Sequence, residues 1–179
     1  MKIGFIGLGV MGNPMAQNLA RCDQHELQVY DVAPEKAGTV MELGAIMVES
    51  VSQAVIGADL VMTSLPGPRQ IEQVAFNQGL ISSLSAGSAW IDLSTNNLQV
   101  CQRIVETATS NEIDFLDAPV SGGDEGARSG TLTILVGGNK NVFEHYLPIL
   151  QVIGENVCHL GPHGAGYSAK IAQVVLCYL

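Results

Sequence analysis

Residues 3–12 read IGFIGLGVMG, and this stretch decides more about the fold than any other part of the chain. The run from Ile3 to Ile6 contains no polar side chain, which is typical of a buried β-strand. The pattern from Val10 to Arg21 is that of an amphipathic helix. Three glycines with GxGxxG spacing lie at the junction, so the stretch predicts a strand that turns tightly into a helix.

Each of the three glycines suits a different need of a phosphate-binding turn. Gly7 permits the turn, Gly9 lets the backbone approach a phosphate, and Gly12 lets the helix lie against the sheet. The spacing by itself is a weak signal, because glycines also make turns that bind nothing. Its place between a strand and a helix favours a dinucleotide whose pyrophosphate lies at the helix N-terminus. We predict contacts to a nicotinamide dinucleotide from Gly7, Leu8, Gly9, Val10, Met11 and Gly12.

Asp31 follows the next apolar run, Leu27 to Tyr30, near the distance at which the dinucleotide fingerprint has its acidic residue. A carboxylate there accepts hydrogen bonds from ribose hydroxyls and repels the 2′-phosphate of NADP. No arginine follows Asp31 to bind such a phosphate, since the next residues are Val32 and Ala33. The sequence therefore predicts NAD as the cofactor, with NADP disfavoured.

Short apolar runs alternate with helical patterns along most of the chain, which indicates βαβ units. The runs are apolar at consecutive positions, as expected for parallel strands covered by helices on both faces. The predicted fold class is therefore α/β, with a Rossmann-type, doubly wound, mostly parallel sheet. The predicted strands are Lys2 to Ile6, Leu27 to Tyr30, Leu60 to Ser64, Ala89 to Leu93, Ile113 to Leu116 and Leu132 to Val136. The predicted helices are Val10 to Arg21, Pro34 to Leu43, Arg69 to Phe76, Leu98 to Ser110, Val142 to Leu150 and Ala165 to Leu179.

Length and composition exclude several classes of protein. The 179 residues suffice for one α/β core but hardly for two complete enzyme domains. The formal charge of −9 repels phosphate backbones and anionic membranes, so neither is expected as a partner. The four cysteines lack metal or disulfide spacing, which favours a reduced, cytoplasmic protein without a metal site. No apolar segment has the roughly 20 residues that a bilayer span requires.

Three segments together resemble the β-hydroxyacid dehydrogenases, the family of 3-hydroxyisobutyrate dehydrogenase and 6-phosphogluconate dehydrogenase. Residues 4–19, GFIGLGVMGNPMAQNL, resemble the start of these enzymes. Residues 117–138, DAPVSGGDEGARSGTLTILVGG, are similar to their substrate-binding signature. Residues 164–170, GAGYSAK, resemble the segment that holds their catalytic lysine. The resemblance covers the entire chain.

The resemblance implies that residues 1–163 are the dinucleotide-binding Rossmann domain and that 164–179 begin an interdomain helix. It also implies an all-helical second domain that this chain does not contain. The final helix has almost no charge, so we expect it to pack against a partner, and we predict a homo-oligomer formed through this helix or the missing domain.

The resemblance also implies roles for individual residues. Leu65, Pro66 and Thr95 would contact the cofactor. Ser121, Gly122 and Gly123 would bind a substrate carboxylate, and consecutive N–H groups beside glycines suit an anion. Lys170 would transfer the proton as general base or acid. Taken without the family, each segment also has a simpler interpretation. Pro66 fits a proline-rich turn, Ser121 to Gly123 fit an ordinary surface loop, and Lys170 fits a lysine that extends to solvent.

The sequence departs from the family just after Lys170. Relatives usually have two asparagines there, the second one helical turn beyond the lysine, whereas this chain has Gln173 and Val174. Val174 shares a face with Lys170 but cannot hydrogen-bond. Gln173 lies roughly 100° around the helix from position 174, so we expect it to replace the missing amide only if the helix shifts.

Two functions remain open from the sequence. The first is an NAD-dependent dehydrogenase that moves hydride between nicotinamide and a small 3-hydroxy acid or its semialdehyde. The second is a dinucleotide-binding module with little or no turnover, as a truncated or degenerate relative. The lysine and the substrate signature favour the enzyme, whereas Val174 and the missing helical domain favour the module.

Overall fold

A computed structural model describes residues 1–22 and 24–178, with side chains up to 177. Within these residues, nine strands form a single sheet. The strands are β1 (Lys2–Ile6), β2 (Glu26–Tyr30), β3 (Ile46–Met47), β4 (Leu60–Thr63), β5 (Ala89–Asp92), β6 (Asp114–Asp117), β7 (Val120–Ser121), β8 (Leu132–Gly138) and β9 (Gly154–Gly161). Their order is β3-β2-β1-β4-β5-β6-β8-β7, and β9 pairs with β8.

Helices connect most of the strands and cover both faces of the sheet. They are α1 (Gly12–Ala20), α2 (Gly38–Met41), α3 (Val51–Val55), α4 (Pro68–Glu72), α5 (Leu80–Ser83), α6 (Leu98–Ser110), α7 (Gly123–Ser129), α8 (Lys140–Ile153) and α9 (Ala165–Tyr178). The predicted end of the last helix, Leu179, lies outside the described residues. No helix in the described part of the chain is both long enough and apolar enough to cross a membrane.

The first six strands in sequence are parallel, and the chain changes direction across the sheet between β1 and β4. Strands β1, β2 and β3 run outward to one edge, and the chain then returns to place β4 on the other side of β1. Strands β5 and β6 continue in that second direction. Such a reversal opens a crevice at the carboxyl ends of the two central strands, where open α/β sheets bind their ligands.

The buried strands explain why their sequences are apolar at consecutive positions. Leu60 and Met62 of β4 belong to one buried cluster, and Val61 between them belongs to a second cluster on the opposite face. In β5 the same alternation separates Ile91 from Trp90. Since successive side chains of a strand point to opposite faces, helices must cover both faces. The predicted Rossmann-type, mostly parallel sheet is confirmed.

The side of the sheet beyond β6 combines antiparallel and parallel strands. Strand β8 is antiparallel to β6 and β7 and parallel to β9. Helix α9 packs against β8 at Gly166, where an added Cβ atom would lie 2.2 Å from the carbonyl oxygen of Leu135. Only a glycine therefore allows α9 to approach the sheet this closely.

Two predicted helices are not continuous. The segment from Pro34 to Leu43 forms a 3-10 turn over Pro34–Ala37 and then α2. The segment predicted over Arg69 to Phe76 is α4 followed by a π-helical turn over Gln73–Asn77. Periodicity alone does not separate either type from an α-helix, because each differs from the α-helix by less than one residue per turn.

Candidate functional site

The loop between β1 and α1 has the backbone that its three glycines require. Gly7 has a φ of +98°, and a Cβ atom there would lie 2.2 Å from the carbonyl oxygen of Ser64. A Cβ atom at Gly12 would lie 1.9 Å from the carbonyl oxygen of Gly7. At Gly9, by contrast, no atom lies within 4 Å of the Cβ position. Packing thus demands glycine at 7 and 12, whereas Gly9 leaves the backbone open to a ligand.

A first cleft of about 370 Å³ lies at the reversal of the sheet. Its lining includes Gly7, Gly9, Val10, Met11, Gly12, Asp31, Leu65 and Pro66. Leu8, which the sequence also assigned to the cofactor, does not line it. The Leu8 side chain is buried in the core, and its backbone N–H donates to Asp31 Oδ2 at 2.7 Å. The open Gly9 backbone and the position of this cleft at the reversal of the sheet are those expected of a dinucleotide site.

The Asp31 carboxylate lies at the edge of the first cleft, only 8% exposed. Its Oδ1 atom accepts hydrogen bonds from the N–H of Ala33 at 2.9 Å and from Lys36 Nζ at 3.2 Å. Burial raises the pKa of Asp31, but hydrogen bonds from Ala33, Leu8 and Lys36 outweigh burial and lower the pKa below its ordinary value. The carboxylate is therefore an anion, and Oδ2 has a lone pair left for a ligand hydroxyl.

A second cleft of about 340 Å³ adjoins the first and shares Met11, Ser64, Leu65 and Pro66 with it. Its remaining lining includes Thr95, Ser121, Gly122, Gly123 and Lys170. The structure thus brings together residues that the sequence assigned separately to the cofactor, the carboxylate and the proton. They come from the carboxyl ends of β4 and β5, from β7 and from α9.

Lys170 projects from α9 into the wall of the second cleft and is half-buried. Burial lowers the pKa of its amine, and the nearby Cys177 thiol acts in the opposite direction. Its Nζ atom donates to Gln173 Oε1 at 3.3 Å. Gln173 Nε2 in turn donates to Ser121 Oγ at 3.0 Å.

With α9 in its observed position, Gln173 reaches both Lys170 and Ser121. Whether it replaces the missing amide toward a substrate without a shift of the helix stays a prediction. The long side chain of glutamine compensates for the angle between positions 170 and 173. Val174 is 39% exposed and apolar, as the sequence suggested.

Asp117 fixes the start of α9. This residue begins the segment 117–138, but the sequence predicted no role for it. The Asp117 carboxylate accepts hydrogen bonds from the N–H of Gly164 at 2.8 Å and of Tyr167 at 3.1 Å. Gly164 directly precedes α9 and Tyr167 lies in its first turn, whose N–H groups have no partner within the helix. The buried carboxylate at the end of β6 therefore caps the helix that holds Lys170.

A buried network around Asp92, also missed from sequence, connects α9 to the loops after β4 and β5. Asp92 is fully buried and accepts hydrogen bonds from Thr63 Oγ1, from the hydroxyl and N–H of Ser94, and from the hydroxyl of Tyr167. Ser94 Oγ also accepts from the N–H of Leu65 at 2.9 Å. Burial raises the pKa of Asp92, and these side-chain hydrogen bonds oppose that rise. An acidic residue at the end of an apolar strand was the available signal, since a buried carboxylate requires donors.

The histidines near the start of α9 have structural partners. His159 Nε2 lies 2.8 Å from the carbonyl oxygen of Gly138, and His163 Nε2 lies 3.0 Å from that of Phe115. Among the described residues, no three histidine, cysteine or acidic side chains are grouped as ligands of a metal ion.

Comparison with known proteins identifies the family. Residues 2–161 match the sequence model of the NAD binding domain of 6-phosphogluconate dehydrogenase. The chain belongs to this family. As a member of the 6-phosphogluconate dehydrogenase NAD-binding family, it is a Rossmann-type domain for a nicotinamide dinucleotide.

Relatives and solved structures agree with the resemblance to β-hydroxyacid dehydrogenases, which is confirmed. The 2-hydroxy-3-oxopropionate reductase of Escherichia coli (strain K12) is 39% identical over 180 residues, covering 100% of this chain and 61% of that protein. The 3-hydroxyisobutyrate dehydrogenase of Pseudomonas aeruginosa is 38% identical over 175 residues, covering 97% of this chain and 58% of that protein. The structure of Mycobacterium tuberculosis 3-hydroxyisobutyrate dehydrogenase with L-serine superposes with a TM-score of 0.92 at 32% identity, over 98% of this chain and 60% of that one. The chain thus spans about three fifths of the length of these relatives.

Proposed function

We propose that this chain provides the cofactor site and the proton-transfer lysine of an NAD-dependent dehydrogenase. The reaction is hydride transfer between nicotinamide and a small 3-hydroxy acid, such as 3-hydroxyisobutyrate, or its semialdehyde. The observation that supports this most directly is the second cleft, in which Lys170 and Ser121 lie beside the residues shared with the first cleft. The names of the relatives, a hydroxy-oxopropionate reductase and hydroxyisobutyrate dehydrogenases, point to the same substrate class.

We propose NAD over NADP because of Asp31. Its ionised carboxylate at the edge of the first cleft suits a ribose hydroxyl and repels a 2′-phosphate. Lys36 neutralises part of this charge, but it does so through Oδ1, the oxygen that also accepts from Ala33. Oδ2 therefore retains its capacity to accept from the ribose.

The other cofactor contacts follow from the lining of the two clefts. The open backbone at Gly9, at the N-terminus of α1, would hold the pyrophosphate. The remaining members of the loop, Gly7, Leu8, Val10, Met11 and Gly12, shape this site. Leu65, Pro66 and Thr95, which line the second cleft, would contact the nicotinamide end. Bound NAD supplies the acceptor for the hydride.

In our proposal, Ser121, Gly122 and Gly123 bind the carboxylate of the hydroxy acid. The lowered pKa of Lys170 favours its neutral amine, which takes the proton of the substrate hydroxyl as hydride leaves the same carbon. The product is the corresponding carbonyl compound, and Lys170 ends as an ammonium. In the reverse reaction, the ammonium returns this proton to the new hydroxyl oxygen.

Three expectations remain predictions. They are the domain boundary after residue 163, the cytoplasmic location, and a homo-oligomer formed through α9 or a second domain. The exposed apolar side chains of α9 support the oligomer, and light scattering at several concentrations would test it. These side chains are Ile171, Val174, Val175 and Leu176.

The experiment that tests the function is calorimetric titration with NAD and NADP in parallel, combined with a turnover assay. The assay follows the appearance of reduced nicotinamide with a panel of small 3-hydroxy acids. NAD binding with oxidation of a 3-hydroxy acid supports the proposal. Binding without turnover favours the alternative of a dinucleotide-binding module, for which the apolar Val174 is the supporting observation. If neither dinucleotide binds, both functions are wrong.

A further inference from the structure

The Gln173 side chain connects two residues of the second cleft that lie on different elements. Gln173 accepts from Lys170 Nζ at 3.3 Å, within α9. It donates to Ser121 Oγ at 3.0 Å, across to β7 and 52 residues away in sequence. Both contacts are partly buried, so neither is a freely solvated surface pair.

The chemistry of the three groups fixes the orientation of the amide. The amide oxygen faces Lys170, whose amine donates to it, and the ammonium form of Lys170, which has only donors, requires this orientation. The amide nitrogen then faces Ser121 and uses an acceptor site of its hydroxyl. The hydroxyl proton of Ser121 is consequently left available to donate to a bound anion.

We propose that Gln173 is a positioning residue that holds the Lys170 amine and the Ser121 hydroxyl at a fixed separation. The substrate hydroxyl then reaches the amine while its carboxylate reaches Ser121. This role rests on the proposed function above. It assigns to Gln173 an amide function that Val174 cannot perform.

A lysine needs such a restraint because its amine ends a flexible four-carbon stem. The residue three positions along a helix is a direct neighbour on its surface, so Gln173 can restrain the amine without moving α9. The tight contact of Gly166 with β8 and the cap from Asp117 keep α9 in this register. The amide bridge therefore rests on a helix that is itself fixed to the sheet.

The test compares the unmodified chain with Gln173→Ala and Gln173→Glu, and uses Gln151→Ala as matched control. Gln151 is an exposed glutamine of α8, so its substitution repeats the chemical change on another helix. The pKa of each of the four lysines is measured by NMR titration of its side-chain nitrogen. This measurement needs neither cofactor nor turnover.

Gln173→Ala is expected to lower the pKa of Lys170, because the ammonium loses an acceptor that favours its charged form. Gln173→Glu is expected to raise it, because a carboxylate then faces the ammonium. Gln151→Ala is expected to leave it unchanged. The same Lys170 pKa in the unmodified chain and in both Gln173 variants would overturn the bridge.

The kinetic arm tests the positioning role. In oxidation of 3-hydroxyisobutyrate, Gln173→Ala is expected to lower kcat/KM for the acid about tenfold, as one lost hydrogen bond of about 1.4 kcal/mol would. The KM for NAD should not change. Unchanged kcat/KM for the acid would contradict the positioning role. If the unmodified protein has no turnover, the proposed function has failed, and the NMR arm still decides whether the bridge exists.

Discussion

Lys170 is the only charged residue in the sequence of α9. It lines the second cleft, and burial lowers its pKa. Asp31 is the corresponding acidic residue of the first cleft, with a lowered pKa and a free lone pair. Single residues of opposite charge thus define the two ends of the proposed site, and each permits a sharp substitution.

The rate of 3-hydroxy acid oxidation should rise with pH through the pKa of Lys170. In the proposed mechanism the neutral amine is the base, and its fraction grows as pH increases; burial lowers the pKa of Lys170 and so moves this rise below the range of an ordinary lysine. The reduction of the semialdehyde should show the opposite dependence. The measurement is the pH profile of kcat/KM.

Lys170→Arg is expected to abolish this rise along with most of the activity, because a guanidinium does not lose its proton in a protein. Lys140→Arg, at an exposed lysine of α8, is the control and should keep the profile. An unchanged rise in Lys170→Arg would show that another group accepts the proton.

Asp31→Asn should weaken NAD binding and improve NADP binding relative to NAD by about tenfold or more, since each 1.4 kcal/mol changes affinity tenfold. The amide can still accept from the N–H of Leu8, but it no longer repels a 2′-phosphate. Calorimetric titration with both dinucleotides measures the ratio. Asp114→Asn removes the same charge at an exposed position and should leave the ratio unchanged. An equal effect of both variants would indicate a general effect of net charge.

At the scale of elements, α9 is the piece whose position decides the site. Three separate contacts dock its first turn: the cap from Asp117, the close approach of Gly166 to β8, and the hydroxyl of Tyr167 on Asp92. Asp92 also accepts a hydrogen bond from the hydroxyl of Ser94, and this hydroxyl in turn accepts one from the N–H of Leu65. One buried carboxylate therefore ties α9, the helix of Lys170, to loops that line the two clefts.

Tyr167→Phe is expected to destabilise the fold by about 1 to 3 kcal/mol, because it leaves a buried oxygen of Asp92 without its donor. The aromatic ring remains, so apolar packing changes little. Urea unfolding of the two proteins measures the difference. Tyr146→Phe is the matched control. The Tyr146 hydroxyl contacts the carbonyl oxygen of Asp59 at 3.5 Å, which is at the limit of a hydrogen bond. This substitution should therefore lower the free energy of unfolding by less than Tyr167→Phe. Equal losses would assign no special role to the Asp92 network.

At the scale of the whole molecule, the sheet places the two clefts side by side. The reversal between β1 and β4 opens the first cleft. The side of the sheet that contains both parallel and antiparallel strands places Ser121 and α9 beside it, in the second cleft. The net charge of −9 offers no long-range attraction for an anionic dinucleotide or acid. The proposed site therefore relies on local N–H groups and on Lys170.

The sequence alone determined the parallel half of the molecule. Consecutive apolar positions in β1, β4 and β5, and the glycines between β1 and α1, are local signals of buried strands and of a tight turn. It did not predict β9, whose residues are mostly exposed or half-buried, or the two-residue strands β3 and β7. A short or edge strand lacks a long apolar run, and its hydrogen-bonding partner is set by the rest of the fold.

What only the tertiary structure decided is how distant residues meet. Asp117 caps α9 from 47 residues away, Tyr167 reaches Asp92 from 75 away, and Gln173 reaches Ser121 from 52 away. Sequence reasoning assigned position 173 by its angle on the helix, which fixes the Cα atom but not the end of a long side chain. Local sequence determines a residue's element and face because backbone geometry is periodic. Its hydrogen-bonding partner depends on which surface packs opposite, and that is a property of the assembled sheet.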